Sequence, residues 1–131
     1  MRLILDTSAA FEVAFNRGKA KALAQALEEA DLVLAPDLFV AELVNTVWKY
    51  RQFEDLDDAE CDRVLDLALG LVDALVPCKE LYREAFLLAR AARMPAYDMF
   101  YLALASREDA VLLTLDAALK KKAAREGIRT P

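Results

Sequence analysis

The sequence predicts an α/β fold, a parallel sheet covered by helices on both faces, on three observations. Short apolar runs of strand length alternate with longer segments of helical character. The strand-length runs are apolar nearly throughout, as strands buried on both faces are. No internal repeat, low-complexity segment or interdomain linker interrupts the pattern, so residues 1–131 form one domain.

The elements follow in order. Arg2-Leu3-Ile4-Leu5-Asp6 is a short apolar run ending in an acid and reads as a buried strand. Thr7-Ser8 offers a cap, Ala9 to Phe15 reads as helix, and Gly18 ends that segment. Lys19 to Ala30, rich in Ala, Leu, Glu and Lys, is a second helix, and Leu32-Val33-Leu34-Ala35 a second strand. Pro36-Asp37 opens a helix to about Gln52, and Leu56-Asp57-Asp58 another to about Val72. Ala74-Leu75-Val76-Pro77 reads as a third strand, and Glu80 to Ala92 as a helix stopped by Met94-Pro95. A helix from about Ala96 to Ser106 leads to a fourth strand, Val111-Leu112-Leu113-Thr114. Asp116 caps a last helix to about Glu126, and Ile128-Arg129-Thr130, after the helix-ending Gly127, reads as a short fifth strand.

Composition removes several chemistries. The chain has no histidine, so no Ser-His or Cys-His nucleophile pair can form. Its two cysteines, Cys61 and Cys78, lack CxxC spacing and read as reduced thiols, so a structural zinc is not expected. A metal held by this chain would be held by carboxylates, which favours Mg²⁺ or Mn²⁺. Only three glycines occur, and none forms a phosphate-cradling loop. No apolar stretch is long enough for a membrane span and no signal peptide is legible, which gives the expectation of a cytoplasmic protein. Hydrophobic residues make up 57% of the chain, enough for a large core with apolar surface left for a partner. The net charge of −5 opposes nucleic-acid binding taken alone, although Lys120, Lys121, Lys122, Arg125 and Arg129 cluster in the tail.

Four acids stand out. Asp6 ends the first strand and Asp116 lies two residues past the fourth, where ligands of open α/β sheets collect. Helix capping accounts for Asp116 equally well; for Asp6 the more natural capper is Ser8. Glu42 lies mid-helix in a stripe with Asn45, Thr46 and Lys49, which also reads as the solvent face of an amphipathic helix. Asp98 heads an apolar stripe of Tyr101, Leu102 and Ala105, and either the helix N-terminus or a metal could satisfy it.

These segments together resemble a family. Leu3-Ile4-Leu5-Asp6-Thr7-Ser8 looks like the opening of PIN domains, and Ala41-Glu42-Leu43-Val44-Asn45 like their helix-borne Glu segment. Tyr97-Asp98-Met99-Phe100-Tyr101-Leu102-Ala103-Leu104-Ala105 closely resembles the YDA-x-YLALA segment of VapC-type toxins, with Met99 where Ala is usual. Thr114-Leu115-Asp116-Ala117-Ala118-Leu119 is similar to their T-x-D-x-x-L. The resemblance implies a PIN-like domain with a five-stranded sheet of order 3-2-1-4-5. It also implies a ribonuclease whose metal is held by Asp6, Glu42, Asp98 and Asp116, with Thr7, Ser8, Asn45 and Thr114 as polar support. The products would carry a 5′-phosphate and a 3′-hydroxyl. The implied partners are RNA, a small antitoxin protein and a second copy in a homodimer. Phe39, Trp48, Tyr50 and Phe53 around the third helix fit such contacts and fit a buried core equally well.

Other strand-end acid sites fit less well. A receiver domain has an acid pair after its first strand, whereas Thr7-Ser8 follows Asp6 here. A haloacid-dehalogenase-like phosphatase wants D-x-D, and Ser8 stands in place of the second acid. A non-catalytic binding module of the same fold and a DNA-directed nuclease stay open, because nothing in the sequence reads a 2′-hydroxyl.

Overall fold

The computed structural model describes all residues, Met1 to Pro131. Strand β1 (Arg2–Leu5) leads into helices α1 (Thr7–Ala14) and α2 (Ala20–Glu29), then β2 (Leu32–Pro36). Helices α3 (Leu38–Phe53) and α4 (Asp58–Gly70) precede β3 (Ala74–Val76) and a 3-10 turn (Cys78–Glu80). Helices α5 (Tyr82–Ala92) and α6 (Ala96–Arg107), strand β4 (Val111–Leu113) and helix α7 (Ala117–Arg125) complete the fold. No helix is long and apolar enough to cross a membrane.

The strands form one parallel sheet in the order β3-β2-β1-β4. The chain moves outward from β1 through β2 to β3, then returns to place β4 on the other side of β1. The C-terminal ends of β1 and β4 therefore flank the switch point, where open α/β sheets usually bind their ligands.

The expected fifth strand does not form. Gly127, at φ +71, turns the chain and Ile128 is buried. The Arg129 carbonyl then accepts one bond from the Leu112 N–H at 2.9 Å. The ladder stops there, since Pro131 has no N–H to donate. The Arg129 guanidinium turns back to the Asp109 carbonyl at 2.8 Å.

The two faces of the sheet follow from strand periodicity. Leu3 and Leu5 of β1, Val33 and Ala35 of β2, and Val111 and Leu113 of β4 pack beneath α1 to α4. Ile4, Leu34 and Leu112 point the other way, beneath α5, α6 and α7. Helix α6 is the most enclosed: Met99 and Tyr101 to Ala105 are all buried, and it packs on β1, β2 and β4. Met99 fills space in this second core, so a residue larger than alanine is accommodated there.

Of the aromatic residues around α3, Phe39 is core and Tyr50 stacks on Phe11 and Phe15. Trp48 and Phe53 stay exposed.

Candidate active site

The site begins at the junction of β1 and β4. The Asp6 N–H donates to the Leu113 carbonyl at 3.2 Å, tying the two strand ends together. Asp6 has the extended backbone of a capping residue (φ −93, ψ 169), and its carboxylate accepts the Ala9 N–H at 3.0 Å. Asp6 therefore caps α1, correcting the expectation that Ser8 does. Ser8 lies inside the helix. Its hydroxyl donates to Asp6 Oδ1 at 2.7 Å and accepts the Leu115 N–H at 3.0 Å. The Thr114 hydroxyl donates to the other Asp6 oxygen and accepts the Asp116 N–H at 3.0 Å.

Asp116 caps α7 through the Leu119 N–H at 3.0 Å and remains exposed. Asp98 stands in the first turn of α6, half-buried, with Pro95 at the N-cap and no side-chain cap present. No protein hydrogen bond or ion pair involves its carboxylate, so both oxygens are free.

Glu42 leaves the solvent face that its helical stripe predicts. It is half-buried, and Oε1 accepts the Tyr101 hydroxyl at 2.6 Å and the Thr7 hydroxyl at 3.3 Å. Asn45 and Lys49 remain exposed, and Asn45 bonds none of the four acids. Tyr101 is the residue the sequence reading missed: its place in an apolar stripe on α6 conceals that its hydroxyl reaches a carboxylate 59 residues away.

The four acids act as one electrostatic unit. Burial pushes Asp6 above the ordinary aspartate range; bonds from Thr114, Ser8 and Ala9 oppose this, while the charge of Asp116 adds to it. Burial also raises Glu42, and Asp98 and Asp6 raise it further, against the bonds from Tyr101 and Thr7. Asp98 is raised by burial, then by Asp116 and Asp6. Burial and the neighbouring Glu42 push the Tyr101 hydroxyl well above its ordinary value, so it keeps its proton and donates the hydrogen bond to Glu42. No ion pair within the chain reaches any of the four acids. The larger surface grooves are lined by other residues, so the acids mark this site by their charge rather than by a deep cavity.

The cations of the tail divide. Lys122 is buried and paired with Glu126 at 2.7 Å, and Arg129 faces Asp109. Lys121 and Arg125 remain exposed.

Tyr101→Phe gives a direct measure of how Glu42 is held. The variant should lose about 1.5–3 kcal/mol of stability, the usual worth of a hydrogen bond to a charged group. Any activity that depends on Glu42 should fall roughly 10–100-fold, the range for losing a partner that orients a ligand. Urea unfolding and turnover measured on the same preparation check both, and unchanged turnover would show that Glu42 needs no such partner.

A family model described as "PIN domain" matches residues 3–125. A ribonuclease of Pyrobaculum aerophilum, Ribonuclease VapC3, is 29% identical over 124 residues, covering 93% of this chain and 95% of that protein. Among solved structures, PAE2754 from Pyrobaculum aerophilum superposes with a TM-score of 0.71 at 22% identity, over 99% of this chain and 89% of that one. VapBC2 from Rickettsia felis, bound to a DNA fragment from its promoter, gives a TM-score of 0.69 at 17% identity, over 100% of this chain and 98% of that one. FitAcB from Neisseria gonorrhoeae gives 0.65 at 17% identity, over 98% and 95%.

Proposed function

From the premise that this chain belongs to the PIN-domain family, we propose that it is a divalent-metal-dependent endoribonuclease, the toxin of a toxin–antitoxin pair. The observation that carries the reading is the placement of the carboxylates at the switch point without a paired cation: the Thr114 hydroxyl joins Asp6 to the Asp116 N–H, Thr7 and Tyr101 hold Glu42, and Asp98 stands unbonded in the first turn of α6. The curated relative is a ribonuclease, which supports RNA as substrate. The structural relatives named VapBC2 and FitAcB support a small antitoxin as partner. A homodimer working in the cytoplasm completes the proposal.

The residues present fit a hard cation in kind. The donors are carboxylate oxygens with hydroxyls behind them, and neither imidazole nor thiolate competes. No three carboxylates gather into a ready-made cage in this structure. When bound, Mg²⁺ or Mn²⁺ would polarise a phosphoryl oxygen and ease the loss of a proton from water near neutral pH.

The protein's own residues supply placement. Three donors, from Ala9, Ser8 and Thr114, hold Asp6 in one orientation. Tyr101 and Thr7 do the same for Glu42. Asp98 keeps both oxygens free to face a cation, with no protein hydrogen bond or ion pair on either. Asp116 spends one oxygen on its helix cap and leaves the other available.

The test is incubation with a panel of structured RNAs and matched single-stranded DNAs, in Mg²⁺, in Mn²⁺ and in EDTA. RNA should be cut with either ion and spared in EDTA, leaving 5′-phosphate ends. Cleavage of DNA alone would replace the substrate class. Binding of RNA with no cleavage under any ion would leave a non-catalytic module.

A further inference from the structure

Five aromatic side chains are exposed: Trp48, Phe53, Tyr82, Phe86 and Tyr97. Four of them have a partner within the chain. Trp48 and Phe53 meet edge to face at 6.1 Å. The Arg83 guanidinium lies 5.5 Å from the Tyr82 ring centre, and that of Arg90 lies 5.6 Å from the Phe86 ring centre. Tyr97 alone stacks on no ring and no cation, and its hydroxyl has no hydrogen bond. It is 69% exposed, yet its backbone is well anchored. Pro95 at the N-cap fixes the entry to α6, and Met99, two residues on, is wholly buried. An unpartnered ring therefore stands next to Asp98, the carboxylate with both oxygens free.

A second unpartnered group stands near the start of α7. The Lys120 N–H donates to the Asp116 carbonyl at 3.0 Å, so Lys120 lies one turn beyond that acid. Its side chain is half-buried, and no ion pair reaches its ammonium, from Asp116 or from any other acid. Helix stability does not account for it. The helix dipole favours cations in the last turn, where Lys122 and Arg125 stand, and gives nothing to a lysine near the start. The first turns of α6 and α7 meet at one site, since Asp98 feels the charge of Asp116.

We propose that Tyr97 and Lys120 position the substrate: the Tyr97 ring stacks on the base beside the scissile phosphate, and the Lys120 ammonium takes a neighbouring phosphate. The proposal rests on the RNA-cleaving reading above. Charge gives the reason for such contacts. Four carboxylates and a net charge of −5 oppose the approach of phosphates. A stacked base adds affinity that this repulsion does not touch, because every base has a π face. One free ammonium offsets the repulsion at a single phosphate.

The probe is a short single-stranded RNA labelled with fluorescein, its anisotropy titrated with the full chain in Ca²⁺, a hard cation for carboxylate oxygens. Tyr97→Ala should weaken binding roughly 5–100-fold, the loss of one stacked base, and leave its salt dependence unchanged. Tyr97→Phe should stay within about twofold of the parent, whereas Tyr97→Leu, with bulk but no π face, should bind like the alanine variant. Lys120→Gln should lower the slope of log affinity against log salt by about 0.7, one phosphate contact on a single strand, and Lys120→Arg should restore it. Circular dichroism of every variant should match the parent. Tyr97→Ala or Tyr97→Leu binding like the parent overturns the stacking contact, and an unchanged slope in Lys120→Gln overturns the phosphate contact. A Tyr97→Ala chain whose mass in solution drops while its RNA affinity holds places the ring between two copies and also overturns the stacking. If the parent cuts RNA and both variants bind as it does, the nuclease reading stands and this inference falls. If both changes weaken binding in a chain that cuts nothing, the contacts stand and the nuclease reading falls. A parent that binds no RNA removes both.

Discussion

Asp98→Asn is expected to reduce RNA cleavage by at least about 100-fold, the upper end of what losing a mere orienting partner costs, while leaving the metal-free protein no less stable. The substitution removes a charge that no protein hydrogen bond or ion pair stabilises and that feels both Asp116 and Asp6. Two effects compete on stability. A carboxylate in the first turn of α6 gains about 0.3–1 kcal/mol from the helix dipole. Burial and the charges of Asp116 and Asp6 oppose it, and these raise the carboxyl above the ordinary aspartate range.

The sign follows from linkage. The folded state holds the Asp98 proton more tightly than the unfolded chain does. The stabilising contribution is therefore complete below the ordinary aspartate value of 3.8 and is lost as pH rises through the raised folded value. Asparagine cannot lose a proton. The variant's advantage in EDTA should be near zero below that ordinary value and full at neutral pH. Added Mg²⁺ should reverse the order, because a ligand that binds only the native parent stabilises it in proportion to ln(1 + [L]/Kd). Urea titrations in acid and at neutral pH, with EDTA and with Mg²⁺, measure all of this. A variant that melts early in EDTA would return Asp98 to a purely helix-stabilising role.

Ile4→Ala is expected to remove about 2–5 kcal/mol, the range for truncating a large core side chain to alanine. Ile4 is wholly buried on β1, the central strand, and points at the face covered by α6. A small domain has only about 5–15 kcal/mol in hand, so the loss is a large share of the total. The cavity would lie under the helix that carries both Asp98 and Tyr101. Cleavage should therefore fall even at temperatures where the variant is still folded. Denaturant unfolding and turnover well below the midpoint separate the two losses; a loss under about 1 kcal/mol would mean that α6 collapses into the space.

Much of this architecture was legible in the residues. Apolar runs marked all four strands, and Asp6 and Asp116 stood where a switch-point site requires acids. What escaped was decided by tertiary contact. Ile128 to Thr130 have strand-like composition, but one bond to Leu112 does not make a ladder. Asp6 and Ser8 are both good cappers, and the backbone dihedrals of Asp6 decide between them. Glu42 sits on a stripe whose other polar members are ordinary surface. Its exception is Tyr101, contributed by a different helix. Helical periodicity ranks positions by face and cannot register a partner from another element. Lys122 reads as one more surface cation, but it is buried, with its ammonium paired to Glu126 one turn further along α7.

The adjacency of β1 and β4 sets the order of events as the chain is made. Asp6 is made well before its partner Thr114, which lies 108 residues later in the sequence. A nascent chain halted before β4 has its central strand exposed as an edge, lacks Asp116, and leaves Asp6 without the Thr114 hydroxyl and the Leu113 carbonyl. Closing so long a loop is among the slowest contacts a small fold must make. The acids thus come together only once β4 and the start of α7 have been made.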